Sequence, residues 1–172
     1  AEATSARGHI LKNKSTKEIS GYCIIDNGKG MSLNELVESF RFATDSIHKA
    51  GDAGKFGVGG TIASSTLANR KVTLTRAKGT EELLAAEVDI NWFSQPGFDP
   101  EQACRVRGAT REERALFNKF VGKKKHGTCI ILSDPKELEY RHSHHLARKL
   151  EREFSISYHK FLASGKEIVI SH

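Results

Sequence analysis

An apolar strand that runs into a carboxylate and then turns through two glycines, Ile24-Ile25-Asp26-Asn27-Gly28-Lys29-Gly30-Met31, constrains this chain more than any other stretch. Further along, Gly54-Lys55-Phe56-Gly57-Val58-Gly59-Gly60-Thr61 is a glycine-rich loop that enters a helical pattern of small residues from Thr61 to Ala68. An acid placed just after a strand suits hydrogen bonding to a ligand's amino group. A glycine loop at a helix N-terminus suits phosphate, because unpaired backbone N–H groups and the helix dipole both point at it. The pair suggests one pocket with a purine at one end and phosphates at the other.

The chain around these motifs has 172 residues, enough for one domain with a real core. No apolar run approaches the roughly 18 residues that span a bilayer, and no secretory leader is visible at the N-terminus. Cys23, Cys104 and Cys129 are odd in number and far apart, which reads as reduced thiols, two of them in apolar strands, in a cytoplasmic protein. The net charge of +6 is spread out, so it permits contact with nucleic acid without demanding it. The densest run, Lys123-Lys124-Lys125-His126, reads as a solvated loop, with a phosphate or nucleic-acid contact as the alternative.

Periodicity supplies the elements. A short apolar run at His9 to Leu11 and a strand from Ile19 to Ile25 flank a polar hairpin turn, 13–18. Ser32 and Glu35 form a capping box for a helix with Leu33, Leu36, Val37 and Phe40 on one face. Residues 45–55 read as a mobile loop, and 59–69 as a helix of small residues. Strands are expected at Val72 to Thr75 and Leu83 to Ile90, joined by the turn 77–80; residues 91–108 resist assignment. A helix from Arg111 to Val121, a strand from Thr128 to Leu132, a long helix from Leu146 to Phe161 weakened at Ser155 to Ser157, and a last strand from Glu167 to Ile170 complete the pattern. Hairpin-linked strands without strict alternation argue for an α+β two-layer sandwich, a mixed, mostly antiparallel sheet with helices packed on one face, in one domain over 1–172.

Taken singly, each motif is weak. A calcium loop would want oxygen ligands where Leu33 and Leu36 stand. A Walker loop would want Lys after its last glycine, where Thr61 stands, and a Rossmann turn would follow a strand directly. In combination with His126-Gly127-Thr128-Cys129-Ile130-Ile131-Leu132, the order and spacing resemble the three downstream motifs of the GHKL superfamily, the Bergerat-fold ATPases. That superfamily includes type II topoisomerases, ninety-kilodalton heat-shock chaperones, histidine kinases, MutL-type repair proteins and MORC proteins. Phe56-Gly57-Val58-Gly59 is most similar to the chaperone and MORC branch.

The resemblance implies roles. Asp26 accepts a hydrogen bond from the adenine amino group, Gly28 and Gly30 let the backbone approach the base, and Met31 packs against the ring. Lys55, Phe56, Gly57, Val58, Gly59, Gly60 and Thr61 wrap the phosphates of Mg²⁺-bound ATP, with Lys55 reaching the terminal phosphate. Thr128 completes the polar network around Asp26, and residues 45–56 form a lid over the nucleotide. The family's first motif, a helix with a catalytic Glu and a Mg²⁺-binding Asn, is expected upstream of Ala1. Glu2 is the alternative, but Ala6 then stands where Asn should be, and no catalytic residue is assigned. The implied function is an ATP-binding domain whose lid closure, homodimerisation and slow hydrolysis switch a longer parent protein, with nucleic acid a partner through that parent. The rival readings are a non-catalytic nucleotide sensor or scaffold, and a nucleic-acid-binding module. His142, His144 and His145 read as a solvated helix start rather than a zinc site, and Trp92 and Phe93 as core or interface.

Overall fold

A computed structural model describes residues 3–40, 59–99, 102–123, 125–136, 140 and 142–172, apart from the side chains of 59–61. Among them are seven strands in one sheet: β1 (Ser5–Lys12), β2 (Ile19–Asp26), β3 (Ala68–Arg76), β4 (Leu84–Asp89), β5 (Arg105–Gly108), β6 (Gly127–Pro135) and β7 (Glu167–Ser171). The order across the sheet is β5-β4-β3-β6-β2-β1-β7. Every neighbouring pair is antiparallel except β1 and β7, so the sheet is mixed and mostly antiparallel. The helices are α1 (Leu33–Glu38), α2 (Gly59–Leu67), α3 (Ile90–Phe93), α4 (Arg111–Phe120), α5 (Ser143–Ser157) and α6 (His159–Ala163). This is the α+β sandwich with a mixed, mostly antiparallel sheet that the hairpin-linked pattern predicts, except that helices expected on one face pack on both, α4 on one and α5 on the other.

Residues directly opposite one another on neighbouring strands share a face. Ile25, Cys129, Leu74 and Ala85 form one such row, and all four are buried. Phe117 of α4 closes over this face with Cys23, Val72 and Leu83 to form the larger core. On the opposite face Ile10, Ile19, Tyr22 and Leu132 pack with Ala147 of α5 and Ala68. The thiols of Cys23 and Cys129 touch at 3.2 Å inside the larger core, and all three cysteines are free.

Local chemistry explains where elements start. Ser32 caps α1 and Thr110 caps α4, each in a full capping box with Glu35 or Glu113 three residues on. Several boundaries differ from the periodicity. α2 stops at Leu67 and the chain enters β3 at once, so Asn69 lies in a strand. Asp89 caps α3 through its carboxylate, which turns Ile90 out of β4. The long C-terminal helix breaks at Tyr158 into α5 and α6, next to the serines that weaken it. Leu33, expected on the buried face of α1, is half-exposed, and Leu36 carries the packing there.

The edge strand β5 is tied in by charge. Arg107 grips the Glu113 carboxylate with two hydrogen bonds, 2.6 and 2.8 Å, and reaches Glu87 at 3.1 Å. Arg70 holds the other oxygen of Glu87 at 2.6 Å. Arg107 keeps the Glu113 carboxyl below its ordinary range; burial opposes this and the Thr110 N–H assists. A carboxyl depressed in the folded state stabilises fully above its unfolded value, near 4.5, and that contribution fades as pH falls through the folded value. Melting temperatures followed into acid should therefore fall more steeply below that point for the wild type than for Glu113→Gln. Parallel curves would show that the Arg107 pairing does not stabilise the fold.

Candidate functional site

Asp26 is the last residue of β2, and the sheet places it beside Thr128 of β6, which in turn lies beside Thr75 of β3. Three residues far apart in sequence thus form one polar row on adjacent central strands. The row lies on the face opposite Phe117, one position past the buried row of Ile25, Cys129 and Leu74. Thr75 and Thr128 are buried, and Asp26 is half-buried.

The turn after β2 folds back on this row. Asp26 Oδ1 accepts from the Gly28 N–H at 2.8 Å, a short-range bond that shapes the turn and fixes the carboxylate. Its other oxygen makes no hydrogen bond among the described residues. An ionised carboxylate only accepts, so the open oxygen is suited to an N–H donor. Asn27 clamps the start of β1: its Oδ1 accepts from the N–H groups of Thr4 and Ser5, both at 3.0 Å, and its amide donates to Thr4 Oγ1 at 2.9 Å.

The two glycines of the turn differ in how closely they are hemmed in. A Cβ on Gly28 would stand 2.8 Å from Asp26 Oδ1. Gly30 has φ of +69°, and a Cβ there would overlap the Arg76 carbonyl. The turn is stitched to its neighbours by Lys78 N–H to Lys29 O at 2.7 Å, Met31 N–H to Thr75 Oγ1 at 2.9 Å, and His126 Nδ1 against Gly28 O at 2.6 Å. The Lys123 to His126 run, expected as a solvated loop, does expose Lys123 and Lys125. The carbonyls of those two lysines are nonetheless held, because the buried Arg76 guanidinium donates to Lys123 O at 2.7 Å and to Lys125 O at 3.2 Å.

Of the residues expected at the site, Asp26, Gly28, Gly30, Met31 and Thr128 come together at one end of the sheet. Gly59 and Gly60 open α2, and Thr61 follows in its first turn. Lys55, Phe56, Gly57 and Val58, the lid at 45–56 and Glu2 lie outside the described residues. Thr75 and Asn27 were given no site role by sequence reasoning. Thr75 looks like any strand threonine, and only the register of β3 against β6 reveals it. Lys71, on the same face of β3 as Thr75, is half-buried with its ammonium 4.5 Å from the Phe40 ring centroid. Burial pushes the Lys71 pKa down, and Cys104 partly opposes this.

Among the described residues no three His, Cys, Asp or Glu side chains could hold one metal ion. The rings of His144 and His145 lie 4.0 Å apart at the start of α5. No described helix is long and apolar enough to cross a membrane. The family model described as histidine kinase-, DNA gyrase B- and HSP90-like ATPase matches residues 1–128. That span contains α1 to α4, β1 to β5 and the Asp26–Thr128 pair. A search of curated proteins found no match.

Proposed function

The chain belongs to the histidine kinase-, DNA gyrase B- and HSP90-like ATPase family and is an ATP-binding domain of the GHKL type; from that premise we propose that Asp26 selects the adenine of ATP at the end of β2. In this reading one domain over 1–172 holds the nucleotide. Gly28 and Gly30 bring the backbone against the base, Met31 packs on the ring and Thr128 completes the network. The segment from Lys55 to Thr61, ahead of and into α2, takes the phosphates. Mg²⁺ accompanies those phosphates and offsets their charge.

The observation that carries the reading is the Asp26 carboxylate. One oxygen is fixed by the Gly28 N–H, the other is left to accept, and the carboxylate opens a turn in which Gly30 has no room for a Cβ. That geometry fits a flat base with an exocyclic amine. ATP would act as a switch, with its γ-phosphate ordering a lid over 45–56 and favouring a homodimer of the parent protein, and slow hydrolysis resetting the state.

Isothermal titration with ATP, ADP and a non-hydrolysable ATP analogue, each with and without Mg²⁺, tests the pocket. All three are expected to bind, and silence from all three would refute it. Lys55→Ala is expected to weaken ATP more than ADP in the same titration. Equal losses would place Lys55 away from the terminal phosphate.

A further inference from the structure

Two side chains fix the position of the turn that carries the Asp26 contact. Thr75 has no exposed surface, so it reaches a ligand only through its neighbours. Its hydroxyl accepts from the Met31 N–H at 2.9 Å and donates to the Gly127 carbonyl at 3.2 Å. It thereby ties the end of the turn to the residue before Thr128. His126 acts on the start of the turn. Its Nδ1 lies 2.6 Å from the Gly28 carbonyl, and since a carbonyl only accepts, that nitrogen carries the proton. Gly28 is therefore held from both sides, with its N–H donating to Asp26 and its C=O accepting from His126.

We infer that Thr75 and His126 are positioning residues that set the purine selectivity of Asp26. This rests on the ATP reading above. A carboxylate attracts a 6-amino group and repels a 6-oxo group, but only while it is held in place at hydrogen-bond distance. A turn free to shift by an ångström lets the carboxylate swing or admit water, and the two bases then differ little.

Titration of the whole chain with ATP and with inosine triphosphate, which carries the 6-oxo group, tests this. Wild type is expected to prefer ATP by at least about a hundredfold. Thr75→Val keeps the volume and removes both hydrogen bonds, so the preference should fall about tenfold. Thr75→Ser keeps the hydroxyl and should retain the wild-type preference. A purely structural role for Thr75 would weaken both nucleotides equally, and an unchanged ratio in Thr75→Val overturns the inference. If Thr75→Val does not fold, His126→Phe loosens the same turn from its other end; the same fall supports the inference and an unchanged ratio refutes it. Wild type that binds neither nucleotide refutes the ATP reading itself, and the inference with it.

Discussion

Asp26→Asn is expected to weaken ATP by about a hundredfold, on the order of 3 kcal/mol, while the nucleotide-free melting temperature moves by no more than about 2 °C. The two effects separate because the two carboxylate oxygens do different work. Oδ1 serves the fold by accepting from the Gly28 N–H, and an amide oxygen can do the same. The other oxygen, in the proposed pocket, would accept from the ligand. In asparagine that position becomes an NH₂ group, which would face the adenine amine donor to donor. The lost charge-assisted bond and the new mismatch act in the same direction. Titration calorimetry on both proteins, with a thermal melt of each, decides the matter. Equal affinities would remove Asp26 from the pocket.

Gly30→Val is expected to cost roughly 3–5 kcal/mol and lower the melting temperature by about 10 °C. Two penalties combine. A φ of +69° is hostile to a β-branched residue, and the new Cβ would overlap the Arg76 carbonyl. Gly79 provides the control. Its φ is +85°, yet nothing lies within 4 Å of a Cβ placed there. Gly79→Ala therefore carries only the conformational cost, about 1 kcal/mol. Similar melting temperatures for the two variants would show that the turn yields and that its approach to β3 is not fixed.

How legible this was depended on whether the cause was local. Ser32 with Glu35 is a capping box in sequence and in structure, because its partners are three residues apart. The strand, acid and two glycines from Ile24 to Gly30 could be read for the same reason. β5 could not. Its Arg-Val-Arg-Gly sequence has no apolar alternation to betray it, and it is tied in by Arg107 reaching Glu87 and Glu113 on other elements. α3 was hidden because Asp89 looks like the tail of a strand until its carboxylate is seen capping Asn91. Thr128 could be assigned from the resemblance alone, whereas Thr75 waited on a register that pairs it with Thr128 across more than fifty residues.

The order of the sheet also sets a timetable. β6 lies between β2 and β3, which share no ladder of their own. Until Gly127 and the residues after it leave the ribosome, the nascent chain can hold a β1–β2 hairpin and a β3–β4–β5 meander as separate pieces, with the inner edges of β2 and β3 still open. β6 covers both edges in one step, and the long loops it closes make that step the slow one. Asp26 and Thr75 meet Thr128 only then, so a half-made chain lacks the polar row on which the proposed base pocket rests. It does have the inner edges of β2 and β3 open, and the outer edge of β1 as well until β7 arrives, and those are where it would aggregate.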